Sequence, residues 1–374
     1  MTPLLRFPLL AFACLTAAAT SAANAPNTKA WPLWNGEETV AHYAARAELP
    51  RTKALDFGDG VTLDLVLIPA GKFIMGTPEP KPVDEVAFQK RIQTGQRVLG
   101  IGAGSLLVLI GGMVVRAIRQ RRRPQYSLAL FLLMIGCASV SLLGGTRWHQ
   151  SKQALAQAHT DYKAAMFRFQ YAIPSEKPGH EVTLTQPYYI GKFEVMQQQY
   201  EQVMGTNPSS FKGVSLPVES VSWNEAVDFC KKASKKTGQC VRLPTEAERE
   251  HACRAGTTTT YYSGDAEDDL GRAAWYNANS SGRIHPVGQK DANTFDLHDM
   301  YGNVWEWCQD WYDLHQPGTS VDPQGPSEGE HRVRRGGSWL DDAGNCRSAS
   351  RFRGDPTLHL NDVGFRIVVN PKTP

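Results

Sequence analysis

The sequence predicts an α+β, loop-rich globule interrupted by a two-helix hairpin. Three observations predict it. Several short segments alternate apolar and polar residues, as half-buried strands do. Several others carry apolar residues at helical spacing, with capping residues at their ends. Two long uncharged apolar runs lie close together in the middle of the chain. Nine tryptophans, 33 glycines and 23 prolines in 374 residues favour turns over a helical bundle. A chain of this length holds one large domain or two ordinary ones. The net charge is only +3, and five arginines are bunched in one short segment, so the globular part is near neutral. That excludes an electrostatic footprint for nucleic acid.

Taken in order, residues 1–25 carry one positive charge, an apolar run and a small-residue tail. This pattern predicts a secretory signal peptide, cleaved after Ala23 or Ala25. Cys14 leaves with it, and Ala11-Phe12-Ala13 is a poor lead-in for lipid attachment. Residues 26–82 form an N-terminal segment. Within it "VTLDLVLIPAGKFIMG" alternates around a Pro-Ala-Gly turn and predicts a β-hairpin.

The apolar runs at 98–115 and 126–146 are each long enough to cross a bilayer as a helix. The connection at 116–125 carries Arg116, Arg119, Arg121, Arg122 and Arg123, and the positive-inside rule puts it in the cytoplasm. Both flanks then lie on the extracytoplasmic side, periplasmic or extracellular, where they can fold together. In 147–175, Leu155, Tyr162, Met166 and Phe169 share one helical face, which predicts a stalk helix.

The main part of the globule runs over 176–370. "HEVTLTQPYYIGKFEV" predicts further strands. Three short helices follow. The first uses Val195, Tyr200, Val203 and Met204 and stops at Gly205. The second has a Ser222/Glu225 capping box, a stop at Gly238, and a buried face of Ala226, Phe229, Cys230 and Ala233. The third repeats the device with Thr245, Glu248 and Gly256. Cys137 lies in an apolar run, which leaves Cys230, Cys240, Cys253, Cys308 and Cys346 for the exported part. Export favours disulfides, and an odd count leaves at least one thiol over. Cys230 and Cys240 flank the end of one helix and could pair. Free buried thiols, acting as small hydrophobes, are the other reading.

"LVLIPAGKFIMG", "YYIGKFEV", "PVESVSW", "RLPTEAERE", "DMYGNVWEW", "RVRRGGSW" and "DVGFRIV" occur in that order. Together they resemble the sulfatase-modifying factor, or formylglycine-generating enzyme, family, over about residues 57–78 and 178–369. The resemblance implies a fold related to C-type lectins, with structural calcium. It also implies copper-dependent oxidation of a sulfatase cysteine to formylglycine, an activity that many members lack.

Calcium takes six to eight oxygen ligands, many of them carbonyls. A tight Gly-Asn turn in "DMYGNVWEW" can aim the carbonyls of Gly302 and Val304 at one point, with the carboxylates of Asp299 and Glu306 closing the cage. These four positions match the calcium ligands that the resemblance implies. A second calcium site is implied near Asn277 and the Ala278 carbonyl. Copper is not expected. The implied copper site needs two thiolates five residues apart after Gly-Gly-Ser, because Cu(I) prefers sulfur. Counted from Ser338, those positions are Asp341 and Cys346. Counted back from Gly364-Phe365-Arg366, Cys346 falls two residues off, and either count leaves the first thiolate missing. Ser338, Trp305 and Arg351 match positions lining the implied substrate groove, whose rim Asp341 and Asp342 make acidic. The resemblance also implies a disulfide between the positions of Cys253 and Ser348, with Cys346 as the replacement partner here. Arg249 stands where the resemblance calls for tryptophan, and Met196 where it calls for a capping threonine.

The expected protein is membrane-tethered and binds an exported protein, peptide or glycan through a calcium-braced groove. The alternative is an active oxidoreductase or other enzyme modifying an exported protein, with formylglycine formation on a sulfatase cysteine.

Overall fold

The computed structural model describes residues 30–79, 83–120, 128–171 and 174–371. The signal-peptide reading at 1–25 falls outside them. The chain divides into two compact units, residues 79–171 and the remainder.

In the larger unit, helix α1 (Val40–Ala47) precedes strands β1 (Thr52–Asp56), β2 (Thr62–Ile68) and β3 (Gly71–Met75). The smaller unit consists of two helices, α2 (Glu85–Gln120) and α3 (Leu128–Tyr171). The larger unit resumes with β4 (His180–Leu184), β5 (Tyr188–Gly191), α4 (Gln197–Met204), α5 (Trp223–Thr237), β6 (Val241–Arg242), α6 (Glu246–Arg254) and α7 (Glu267–Ala273). It closes with short strands: β7 (Ala274–Trp275), β8 (Tyr301–Gly302), β9 (Trp305–Trp311), β10 (Thr319–Val321), β11 (Arg332–Arg335), β12 (Arg351–Gly354), β13 (Val363–Phe365) and β14 (Val368–Val369).

Among the described residues four sheets result, in the orders β1-β2-β5-β14-β6, β10-β4-β3, β12-β11-β9-β13 and β7-β8. The predicted N-terminal hairpin does not pair with itself across its Pro-Ala-Gly turn. Instead β2 pairs with β5 and β3 with β4, antiparallel in both cases. Residues 30–78 are thereby sewn into the sheets of the C-terminal part. Between the sheets lies an aromatic core, where Tyr200 stacks on Phe229 at 5.6 Å and Phe229 meets Phe365 edge-on at 5.2 Å.

Local capping chemistry sets the helix ends. The Ser222 and Glu225 side chains each bond the other's backbone N–H, and Gly238 closes α5 in the left-handed region at φ 67°. The buried face of α5 is Ala226, Phe229, Cys230 and Ala233, as its periodicity predicts. Thr245 and Glu248 cap α6 in the same way, although its left-handed cap falls on Ala255, one residue before Gly256. Helix α4 begins later than its apolar spacing suggests. Met196 supplies no cap oxygen, so Val195 stays outside the helix and packs in the core.

Helices α2 and α3 are longer than the apolar runs that predicted them, because their polar flanks continue the helix. The stalk at 147–175 is the continuation of α3, which is helical to Tyr171. The two helices run antiparallel with Gly102 against Ser141 and Gly144 against Leu99. A Cβ at Gly102 or Gly144 would come within 2.3 Å of a neighbouring atom, so only glycine admits this approach. Ile101, Leu107, Val108, Leu142 and Leu143 of this unit are exposed. Among the described residues no helix is long and apolar enough to cross a membrane. Much of the spans at 98–115 and 126–146, the side chains of 113–134, lies outside those residues.

No disulfide forms among the described residues, which corrects the pairings Cys253–Cys346 and Cys230–Cys240. The Cys346 sulfur packs against Gly337, whereas the Cys253 thiol faces the Met300 carbonyl at 3.9 Å. Cys230 is buried on α5 while Cys240 is exposed.

Candidate functional site

Gly336-Gly337 leaves β11 with both residues at positive φ, and the turn brings Ser338 back under β9. A side chain at Gly337 would collide with the Cys346 sulfur at 2.5 Å. This close approach gathers four of the five predicted catalytic-cluster residues. Asp341 Oδ2 accepts the Ser338 hydroxyl at 2.6 Å and the Trp305 indole N–H at 2.8 Å. Asn345 donates to Asp341 Oδ1 at 3.2 Å. Cys346 lies behind the carboxylate, fully buried. Burial pushes its thiol up, and the Asp341 charge adds to the effect.

Asp362 and Arg334 complete the cluster, and neither was singled out in the sequence. Asp362 Oδ2 stands 3.4 Å from the Ser338 hydroxyl, and burial pushes its carboxyl up. Arg334 packs between the Trp305 and Phe352 rings, with its Nε and Nη1 buried and without a hydrogen-bond partner. Asp362 was legible in retrospect, since it opens the "DVGFRIV" motif.

Arg351 does not join the cluster. Its guanidinium is buried and forked onto Glu246, with Nε 2.7 Å from Oε1, and donates to the Ser175 and Asp313 carbonyls. It belongs to an ionic network in which α6 supplies Glu246, Glu250 and Arg254, and β11 supplies Arg335.

A cleft of about 350 Å3 opens beside Asp341, lined by Glu267, Tyr276, Asn277, Ala278, Asp342, Ala343 and Gly344. Asn277 and Ala278 therefore face a cleft. Asn277 donates to Asp342 Oδ1 at 3.3 Å, and its backbone N–H to the Asp341 carbonyl at 3.0 Å. The cleft wall is acidic and polar.

The turn at 299–306 adjoins the Gly336-Gly337 loop, its Gly302 N–H bonded to the Gly336 carbonyl at 3.0 Å, and its Glu306 carboxylate faces α6. Glu306 is fully buried, and Arg249 and Arg366 both grip it. Burial alone would raise its carboxyl, but the two guanidiniums outweigh that and hold it below the usual range. Asp299 Oδ2 accepts the Gly288 N–H at 2.7 Å, and its Oδ1 is buried without a partner. Glu194, missed in the sequence, accepts the Val304 N–H at 3.1 Å and the Asn303 amide at 2.8 Å. Its carboxyl is pushed up by burial and by the neighbouring Asp299 and Glu306 charges.

The sulfatase-modifying factor enzyme 1-like domain matches residues 138–371. This chain belongs to that family. The family member is 30% identical over 237 residues to the chaperone protein LppX of Paenibacillus barcinonensis, covering 50% of this chain and 81% of that protein. It is 30% identical over 207 residues to the formylglycine-generating enzyme of Mus musculus, covering 51% and 53%. It thus spans about four fifths of the first relative but only about half of the second. Among solved structures, Treponema denticola variable protein 1 is 33% identical with a TM-score of 0.50, over 52% of this chain and 87% of that one. PvdO from Pseudomonas aeruginosa shares the fold at 21% identity and a TM-score of 0.55, over 85% and 98%.

The metals that family membership raises can be tested against these residues. For copper, the Ser338 cluster offers one thiol, Cys346, and a carboxylate already bonded to Ser338 and Trp305. A soft monovalent ion needs a sulfur pair, so this donor set does not fit it. For calcium, the Glu306 oxygens are spent on guanidiniums. As arranged, the 299–306 turn does not fit a calcium ion either.

Proposed function

We propose that this family member is an exported, membrane-tethered accessory protein. It binds a polypeptide in the cleft beside Asp341 and lacks copper-dependent cysteine oxidation. The observation that carries this reading is the Asp341 carboxylate, bonded to Ser338 and Trp305 where the oxidative chemistry requires a thiolate. The LppX relative, named a chaperone, supports an accessory role. Glu267 and Asp342 on the cleft wall favour a basic segment as the bound group. The exposed apolar side chains of α2 and α3, from Ile101 to Leu143, support the tether.

The test uses the purified full chain in detergent. Supplied with Cu(I), dioxygen and a cysteine-containing peptide, it forms no aldehyde that an aminooxy probe traps. A fluorescein-labelled lysine-rich peptide binds, and Asp342→Lys weakens binding by about tenfold through charge reversal. Aldehyde on the cysteine peptide overturns the reading. Membrane fractions washed in alkaline carbonate retain the chain; release into the supernatant removes the tether from the proposal. Identity with the formylglycine-generating enzymes favours a second reading, oxidation of an exported protein's cysteine, and the same aldehyde assay decides between the two.

A further inference from the structure

The buried turn at 299–306 carries its own cation. Arg249 reaches in from α6, with Nε 2.8 Å from Glu306 Oε2 and Nη2 3.0 Å from Oε1. The same Nη2 donates to the Met300 carbonyl at 2.8 Å, inside the turn. Arg366, from the opposite side, donates to Glu306 at 3.2 Å and to the His298 and Gly191 carbonyls at 2.8 and 2.7 Å. Two oxygens of a fully buried carboxylate and one turn carbonyl are therefore bound by a planar fork, the geometry a guanidinium supplies and an ammonium does not. An anion this deep must be paired. A divalent ion with a cage of oxygens is one solution; an arginine aimed at the same carboxylate is another.

We propose that Arg249 is a built-in replacement for the calcium ion that family membership leads one to expect at this turn. It neutralises Glu306 and ties the Met300 carbonyl, so the fold holds without a divalent cation. The residue type at position 249 decides the matter. An aromatic side chain there would bring no charge to Glu306. In this chain the guanidinium takes the Glu306 oxygens that the ion would use. Of the turn's carboxylate oxygens, only Asp299 Oδ1 is left without a partner. This role of Arg249 is independent of what the cleft binds.

Thermal melts and terbium luminescence on the full chain in detergent test it, with Trp305 and Trp307 as sensitisers beside the turn. The wild-type melting temperature is expected to be the same in calcium and in chelator, with no sensitised terbium signal. Arg249→Gln is expected to melt about 10 °C lower, to regain part of that in millimolar calcium, and to light up terbium. A wild type that melts lower in chelator, or that sensitises terbium at this turn, overturns the proposal. So does an Arg249→Gln protein that melts at the wild-type temperature. If Arg249→Gln does not fold, the wild-type comparison still decides.

Discussion

Trp305 and Asp341 are joined by an indole N–H donating to a carboxylate oxygen at 2.8 Å. The same oxygen takes the Ser338 hydroxyl, so one acceptor organises two side chains from different strand ends. A carboxylate does this better than a thiolate. Sulfur is a weak acceptor, while an ionised carboxylate accepts strongly from O–H and N–H.

Replacing Asp341 with alanine should therefore leave the indole N–H unpaired and the buried hydroxyl with only its longer bond to Asp362, at a cost of about 1–3 kcal/mol, measured by urea unfolding. Asp341→Cys, which sets a thiol five residues before Cys346, should raise Cu(I) affinity at least about tenfold in competition with a chromogenic chelator. Unchanged copper uptake in that variant would show that something other than the missing sulfur excludes the metal.

Arg351 predicts a stability effect separable from ligand binding. Removing it leaves buried Glu246 with only the longer contact to Arg335 at 3.7 Å, at a cost of about 3 kcal/mol. Arg351→Lys should recover only part of this, because an ammonium cannot fork onto both carboxylate oxygens. Peptide affinity at the cleft should be unchanged in any variant that still folds. A loss of affinity at full stability would put Arg351 back in the groove.

Cys346 should resist alkylation. It is fully buried and its thiol is pushed up by burial, so iodoacetamide at pH 8 should modify it only after denaturation. Mass spectrometry of native and unfolded samples reads this directly. Rapid native labelling would mean a reactive thiolate.

Asp310 should set a pH dependence. Burial first, then the Glu246 charge, pushes its carboxyl up to about 8, against an ordinary 3.8. The folded state thus keeps a proton that the unfolded chain releases near pH 4. The stability Asp310 contributes is fully present below that value and is lost as pH rises towards about 8. Asp310→Asn keeps an oxygen for the Glu246 N–H, bonded at 2.7 Å. It should flatten that decline in urea melts at pH 5, 6, 7 and 8. Parallel curves for variant and wild type would assign the decline to another group.

What the sequence revealed follows from how far each interaction reaches along the chain. The caps of α5 and α6 were legible because Ser222 and Glu225, or Thr245 and Glu248, are three residues apart and complete their bonds within one turn. Ser338 and Asp341, also three apart, were legible as a pair of positions, although not as a hydrogen bond. Arg351 was misplaced because its partner Glu246 is 105 residues away, and nothing near Arg351 signals a buried anion. Arg249 was visible only as a departure from an expected tryptophan, since Glu306 lies 57 residues further on. The disulfides failed for a related reason: spacing along the chain does not say which way a buried thiol points.

The pairing of β3 with β4, with Met75 opposite His180, bears on how this chain can be taken apart. Thr77 and Gly179 close the ladder with a bond of 3.2 Å. Everything between them is, in connectivity, the tip of a β-hairpin. Loop-closure cost rises only slowly with loop length, so a short Gly-Asn tip in place of the long helical rod leaves the ladder its register. Excision at those two points leaves a compact domain whose sheets keep every strand.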